Sequence, residues 1–207
     1  NPHLRSHGEE TRTMARTRNT PWIQFLRQYG PVPRNDNMYD ETIQRAIARS
    51  GLRPVEFDAP YLQELVADLG SPAPDSIILT GTAGDGKTFL CRKAWEALGG
   101  DTVAWQQDDK VRCLSLPSGR TLVVIKDLSE LRDEAHAHLT SMANAICGVP
   151  GQDVFLIAAN DGQLVEAWNR VPDSDAVVRV RRVVEDLLVG QQRQVDGYAL
   201  RLYNLSR

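Results

Sequence analysis

Residues 75–98 read "DSIILTGTAGDGKTFLCRKAWEAL". The stretch has three parts. Residues 76–80 form a short apolar run of the length of a buried strand. Residues 89–98 have the composition and spacing of a helix, stopped by Gly99 and Gly100. Between them, Gly81, Thr82, Ala83, Gly84, Asp85, Gly86, Lys87 and Thr88 make a complete G-x-x-x-x-G-K-[ST]. Backbone N–H groups wrap a phosphate only where the loop takes left-handed backbone conformations, which glycine reaches without steric cost. The following helix offers unpaired N–H groups and the positive end of its dipole to the same anion. Lys87 supplies a mobile positive charge for the outer phosphates and Thr88 a hydroxyl for Mg²⁺. With glycine at ~7% of residues, a chance match in a chain of this size is on the order of 1%. The strand–loop–helix is therefore read as a phosphate site whose contacts run from Gly81 to Phe89.

A phosphate loop of this kind needs a carboxylate for the metal at the tip of a neighbouring strand. The segment "TLVVIKDLSE" offers Asp127, after the apolar run from Leu122 to Ile125. Asp127 equally suits the cap of whatever follows the strand. Its successor is Leu128, not a second acid, and the nearest acid downstream is Glu130. Glu130 either points back at the site from a first helical turn, as catalytic base, or is the N3 partner of a capping box. A third strand, "VFLIAAND", ends in Asn160, followed by Asp161 and Gly162. The Asn160 amide is placed to orient an attacking water or contact the terminal phosphate, or these three residues are turn chemistry. The predicted catalytic set is Lys87, Asp127, Glu130 and Asn160, with Thr88 and Asp127 on the metal.

Outward from this core, strands and helices alternate, and each strand is nearly all apolar. That pattern predicts an α/β fold with a central parallel sheet covered on both faces by helices. Residues 102–106, "TVAWQ", read as a strand, and residues 112–127 as a hairpin turning at Pro117 to Gly119. "YALRLYNL", residues 198–205, closes the sheet. Upstream, residues 1–20 form a polar arm, either laid along DNA or solvated or docked on a partner. Residues 21–74 read as a helical extension, and residues 75–207 as the core. Within the extension, the loop "RNDNMYDE" places Asn35, Asn37 and Tyr39 either over a nucleotide base or in a plain polar connection. The helix around "RVRRVVEDLLVGQQRQ" carries several arginines, with Arg193 near its end.

The phosphate loop, the Asp127 strand, the Asn160 tip and the closing strand resemble the additional-strand P-loop ATPases of the AAA+ and STAND type. The resemblance covers about residues 76–207. More narrowly, "LTGTAGDGKT", "VVIKDLSEL" and "IAANDGQL" are similar to ATPase subunits of bacterial defence systems linked to DNA phosphorothioation. The resemblance implies a P-loop NTPase fold, binding of ATP or ADP with Mg²⁺, and hydrolysis that drives or licenses a conformational step in a DNA-linked assembly. It implies protein partners or self-association, with DNA reached through partners or through the rest of the protein. It also implies that Arg193 is the candidate to reach a neighbour's γ-phosphate, the other reading being that it lies on a solvated helix face. The chain departs from the pattern in its Asp-Leu-Ser-Glu order and in having no helical lid after the last strand, as expected of a fragment of a longer protein.

Composition excludes several classes. The chain has 207 residues, 42% hydrophobic and 25% charged, with net charge −3, so nothing general draws it to nucleic acid. No apolar run approaches the ~20 residues that span a bilayer. Three dispersed cysteines, Cys91, Cys113 and Cys147, with no CxxC pair, fit reduced thiols in a cytoplasmic protein. Three further readings stay open. One is a nucleotide switch with negligible hydrolysis, and another an interaction module in which ATP is structural. The third is a small-molecule kinase, which would call for an arginine-rich lid. The absence of an NKxD-type guanine motif favours ATP over GTP.

Overall fold

The computed structural model describes residue 23 and residues 46–52, 59–151, 153–190 and 192–207. The chain divides into two compact units, Asn1–Val55 and Glu56–Arg207. In the first, residues 46–50 are helical and end in a turn at Gly51. The polar arm, most of residues 21–52 of the predicted helical extension, and Asn35, Asn37 and Tyr39 lie outside the described residues.

The second unit is α/β. Its elements are α1 (Leu62–Leu69), β1 (Ser76–Thr80), α2 (Lys87–Ala97), α3 (Thr102–Trp105), β2 (Val111–Ser115), β3 (Thr121–Ile125), two 3₁₀ turns (Leu128–Glu130 and Arg132–Glu134), α4 (Ala135–Ile146), β4 (Asp153–Ala158), α5 (Asp161–Arg170), α6 (Asp175–Gly190) and β5 (Leu200–Asn204). The five strands form one sheet in the order β2-β3-β4-β1-β5. Strands β3, β4, β1 and β5 are parallel, and β2 joins the edge antiparallel to β3. That edge pair is the expected hairpin.

Alternation within the strands sends successive side chains to opposite faces. Ile78, Val123, Ile125, Phe155, Ile157, Leu200 and Leu202 pack with α4, α5 and α6, around Leu139, Trp168 and Val180. Ile77, Leu79, Leu122, Val124, Leu156 and Tyr203 pack on the other face with α1, α2 and Trp105. Both faces of β1, β3 and β4 are thus buried, which is why these strands are continuous apolar runs. Each fully buried Ile or Leu contributes about 1.5–3 kcal/mol.

Residues 102–106 are not a strand. Residues 102–105 are a short helix, capped by the Asp101 carboxylate, which accepts from the Val103 N–H at 2.9 Å. Thr102 and Val103 are β-branched and suit a strand, but the cap and the burial of Trp105 against Trp95, ring centroids 6.0 Å apart, decide the structure. All three cysteines are free thiols. Cys91 is fully buried in α2, and burial pushes its thiol up to about 12. No helix among the described residues is long and apolar enough to cross a membrane.

Candidate functional site

Register alone brings three strand tips together. Ile157 of β4 pairs with Ile78 of β1 and with Ile125 of β3. The strands are parallel, so Gly81, Asp127 and Asn160, each two or three residues past those partners, share the carboxyl edge of the sheet. In open α/β sheets that edge is where ligands bind.

The loop after β1 is built as the motif requires. Gly81, Gly84 and Gly86 have φ of 138°, 90° and 85°. Gly86 is the left-handed N-cap of α2, a conformation that a side chain would disfavour. Thr82, Ala83 and Gly84 are exposed. The loop is fastened to its neighbours on both sides. The Asp161 N–H donates to the Gly81 carbonyl at 3.3 Å, and the Leu205 N–H to the Thr80 carbonyl at 2.8 Å. The Thr80 hydroxyl donates to the Asp161 carboxylate.

Lys87 opens α2 and turns back over the loop, donating from Nζ to the Thr82 carbonyl at 2.5 Å. Burial holds its ammonium below the usual lysine range, while the charges of Asp85, Asp127 and Asp161 pull the other way. Those three carboxylates therefore all act on Lys87, which places the β3 tip and the β4 tip within electrostatic reach of the loop. The Thr88 hydroxyl lies 3.5 Å from the Lys126 carbonyl, a long contact that puts it beside the residue before Asp127. The Phe89 ring carries Arg92 and Lys93, with the cationic groups 5.2 and 5.8 Å from its centroid.

Asp127 is half-buried and caps the first 3₁₀ turn. Its Oδ1 accepts from the Ser129 N–H at 2.9 Å and the Ser129 hydroxyl at 2.7 Å. The cap is real, and it engages one carboxylate oxygen. Glu130 ends that turn, and its backbone carbonyl accepts from Lys110 Nζ at 2.7 Å. Asn160 is half-buried at the N-cap position of α5, yet its side chain makes no cap hydrogen bond.

No protein-family model and no curated protein matches this chain. The site therefore rests on its own geometry.

Three residues at this edge escaped the sequence reading. Asp161 looked like turn chemistry, yet it ties β1, the loop and β4 together. Lys126 is 6% exposed; its ammonium donates to the Trp105 carbonyl at 2.7 Å and lies 4.7 Å from the Trp105 ring centroid. Its place inside an apolar strand end was the available signal, since a buried lysine needs partners. Ser206 accepts from the Thr82 N–H at 2.8 Å across 124 residues of sequence, and no local pattern announces it. Arg193 lies beyond the end of α6 and is not on a solvated helix face. Its guanidinium carbon lies 4.6 and 5.1 Å from the ring centroids of Tyr61 and Tyr203, and it pairs with Glu64 at 2.7 Å.

Among the described residues, no three His, Cys, Asp or Glu side chains group closely enough to hold a metal ion. Mg²⁺ does not require such a cage. It is held by one or two carboxylates together with waters and the phosphates of its nucleotide. The Thr88 hydroxyl and the second carboxylate oxygen of Asp127 fit that donor set, and the loop with Lys87 fits the phosphates.

Proposed function

We propose that the chain is a P-loop NTPase domain that binds Mg²⁺–ATP at residues 81–89 and hydrolyses it slowly. The observation that carries this reading is the complete glycine-rich loop at the carboxyl edge of a buried parallel sheet, with Lys87 in the field of Asp127 and Asp161. The loop amides and Lys87 bind the phosphates, and Thr88 and Asp127 hold the metal. Bound Mg²⁺ supplies charge neutralisation on the phosphate oxygens. The Asn160 amide orients water, and Glu130 is the nearest acid in sequence to take its proton. In such chemistry positioning and electrostatics provide nearly all the rate. The strand order supports the additional-strand reading, because β4 with its Asn160 tip lies between β1 and β3. By the sequence resemblance, turnover drives or licenses a conformational step in a DNA-linked defence or restriction assembly, in the cytoplasm, with protein partners or further copies of the chain.

A second reading, a nucleotide-dependent switch with negligible hydrolysis, is favoured by one observation. Leu128 follows Asp127 directly, and Ser129 occupies the Asp127 Oδ1. Titration calorimetry with ATP, followed by steady-state phosphate release with and without DNA, tests both. Micromolar binding with slow, Mg²⁺-dependent release supports the ATPase. Binding with no release supports the switch. No binding removes the nucleotide from the account.

A further inference from the structure

The segment after β5 returns to the glycine-rich loop. β5 pairs with β1 up to Asn204 opposite Thr80, and the Leu205 N–H extends that pairing to the Thr80 carbonyl. The Ser206 N–H then donates to Asn204 Oδ1 at 3.0 Å, which turns the chain over Gly81. There the Ser206 hydroxyl donates to the Asp85 carboxylate, and the Thr82 N–H reaches both Ser206 Oγ, at 2.8 Å, and Asp85 Oδ2, at 2.6 Å. The Thr82 hydroxyl donates to the same Asp85 oxygen at 3.0 Å. The packing leaves no room for a side chain at position 81. A Cβ there would lie 2.6 Å from Asp85 Oδ2 and 2.9 Å from Ser206 Oγ.

A carboxylate is an odd occupant of a loop meant for phosphate, because like charges repel. Here its Oδ2 is turned onto three donors, the Thr82 N–H, the Thr82 hydroxyl and the Ser206 hydroxyl. These hold the Asp85 carboxyl below the usual carboxylate range, with the Ser206 hydrogen bond the largest cause. Two of the three donors are local to the loop. The third arrives from the other end of the domain.

We propose that Ser206 is a positioning residue of the glycine-rich loop: by holding the Asp85 carboxylate against Thr82 it keeps that charge off the bound phosphates, so the loop's affinity for anions depends on the seating of the segment after β5. This rests on the phosphate-binding reading above. It also makes the linkage reciprocal: a bound phosphate stabilises the seated segment by the factor with which the segment favours the phosphate.

The test is a double-mutant cycle in the 207-residue chain, reading inorganic triphosphate and ATP affinity by calorimetry. Ser206→Ala should weaken both ligands by the same factor, roughly tenfold, as expected for a lost charge-assisted hydrogen bond. Ser206→Thr, which keeps the hydroxyl, should restore both. In an Asp85→Asn background, where the charge is gone, Ser206→Ala should cost little, since coupled residues are non-additive. Amide exchange at Thr82 should quicken in Ser206→Ala without any ligand. Wild-type affinity in Ser206→Ala, or an undiminished loss in the Asp85→Asn background, would overturn the proposal while leaving the nucleotide site intact. Failure of the wild-type chain to bind either ligand would overturn both readings.

Discussion

The parallel strands have two ends, and the arginines at the first and Lys87 at the second do different things. At the amino end two arginines tie one element to another. Arg120, at the entry to β3, donates to the Pro74 carbonyl at 3.1 Å and the Asp153 carbonyl at 2.7 Å, joining the entries to β1 and β4. Arg201, near the start of β5, pairs with Asp68 of α1 and with Asp75 before β1, each at 3.0 Å. At the carboxyl end, among the described residues, Lys87 donates only to its own loop five residues back, amid the charges of Asp85, Asp127 and Asp161. Arg120 and Arg201 at the first end donate across elements and hold the sheet together. At the second end, an ammonium among carboxylates contributes little to holding strands, and the proposed Mg²⁺–ATP is a ligand that carries both signs of charge. The comparison separates stability from binding, and substitutions at the two ends should separate them too.

The largest effect is expected at Lys87. Lys87→Ala should lower ATP affinity about 100-fold, the worth of a charged hydrogen bond near the top of its usual range. Thermal unfolding should be almost unchanged, because the side chain holds no other element. A large loss of stability with ATP affinity retained would reverse the assignment of the two ends.

Arg120→Ala is the mirror experiment. It removes two hydrogen bonds from a charged donor to half-buried carbonyls, and should destabilise the domain by about 2–3 kcal/mol. At temperatures where the variant is folded, its ATP affinity should equal the wild type. Calorimetry and denaturant unfolding on the same sample read both quantities.

Asp127→Asn sharpens the carboxyl end. Asparagine keeps an Oδ1 acceptor for Ser129, so the cap survives and stability should hold. What is lost is the charge. Affinity for ATP should fall roughly tenfold with Mg²⁺ present and stay level in chelator. Equal losses in both conditions would mean that Asp127 is a cap and nothing more.

What the sequence made legible follows the same division. The glycine-rich loop is eight contiguous residues whose chemistry is fixed by local backbone demands, so it could be read directly. The strands β1, β3 and β4 were legible because burial on both faces leaves an uninterrupted apolar run. Residues 102–106 were misread because β-branched and aromatic residues also suit a short helix when Asp101 caps it and Trp105 is buried. Ser206 and Arg193 were beyond reach for a different reason. Their partners, Asp85 and Glu64, lie 121 and 129 residues away, and no local spacing encodes such contacts.

Arg193 gives the smallest expected effect and the finest test of the comparison. On sequence it was the candidate to reach a neighbouring chain's γ-phosphate. The structure holds it in cis, stacked over Tyr61 and Tyr203 and paired with Glu64, with its side chain 49% exposed. To act on a neighbour it would have to surrender the ion pair and both ring contacts. An exposed ion pair and cation–π contacts together are worth about 1–2 kcal/mol. Arg193→Ala should therefore lower the melting temperature by about 2–8 °C for a domain of this size. Arg193→Lys should recover only part of that loss, because lysine keeps the charge but not the planar stacking. Phosphate release per chain, measured well below melting, should be the same in wild type and Arg193→Ala at every protein concentration. An arginine supplied between chains behaves otherwise, since it is worth ~10³–10⁵ in rate. A wild-type rate that climbs with concentration and collapses in Arg193→Ala would show that the residue leaves Tyr61 and Glu64 in an assembly. Arg193 would then belong with Lys87 among the ligand-binding cations, not with Arg120 and Arg201 among those that hold the sheet.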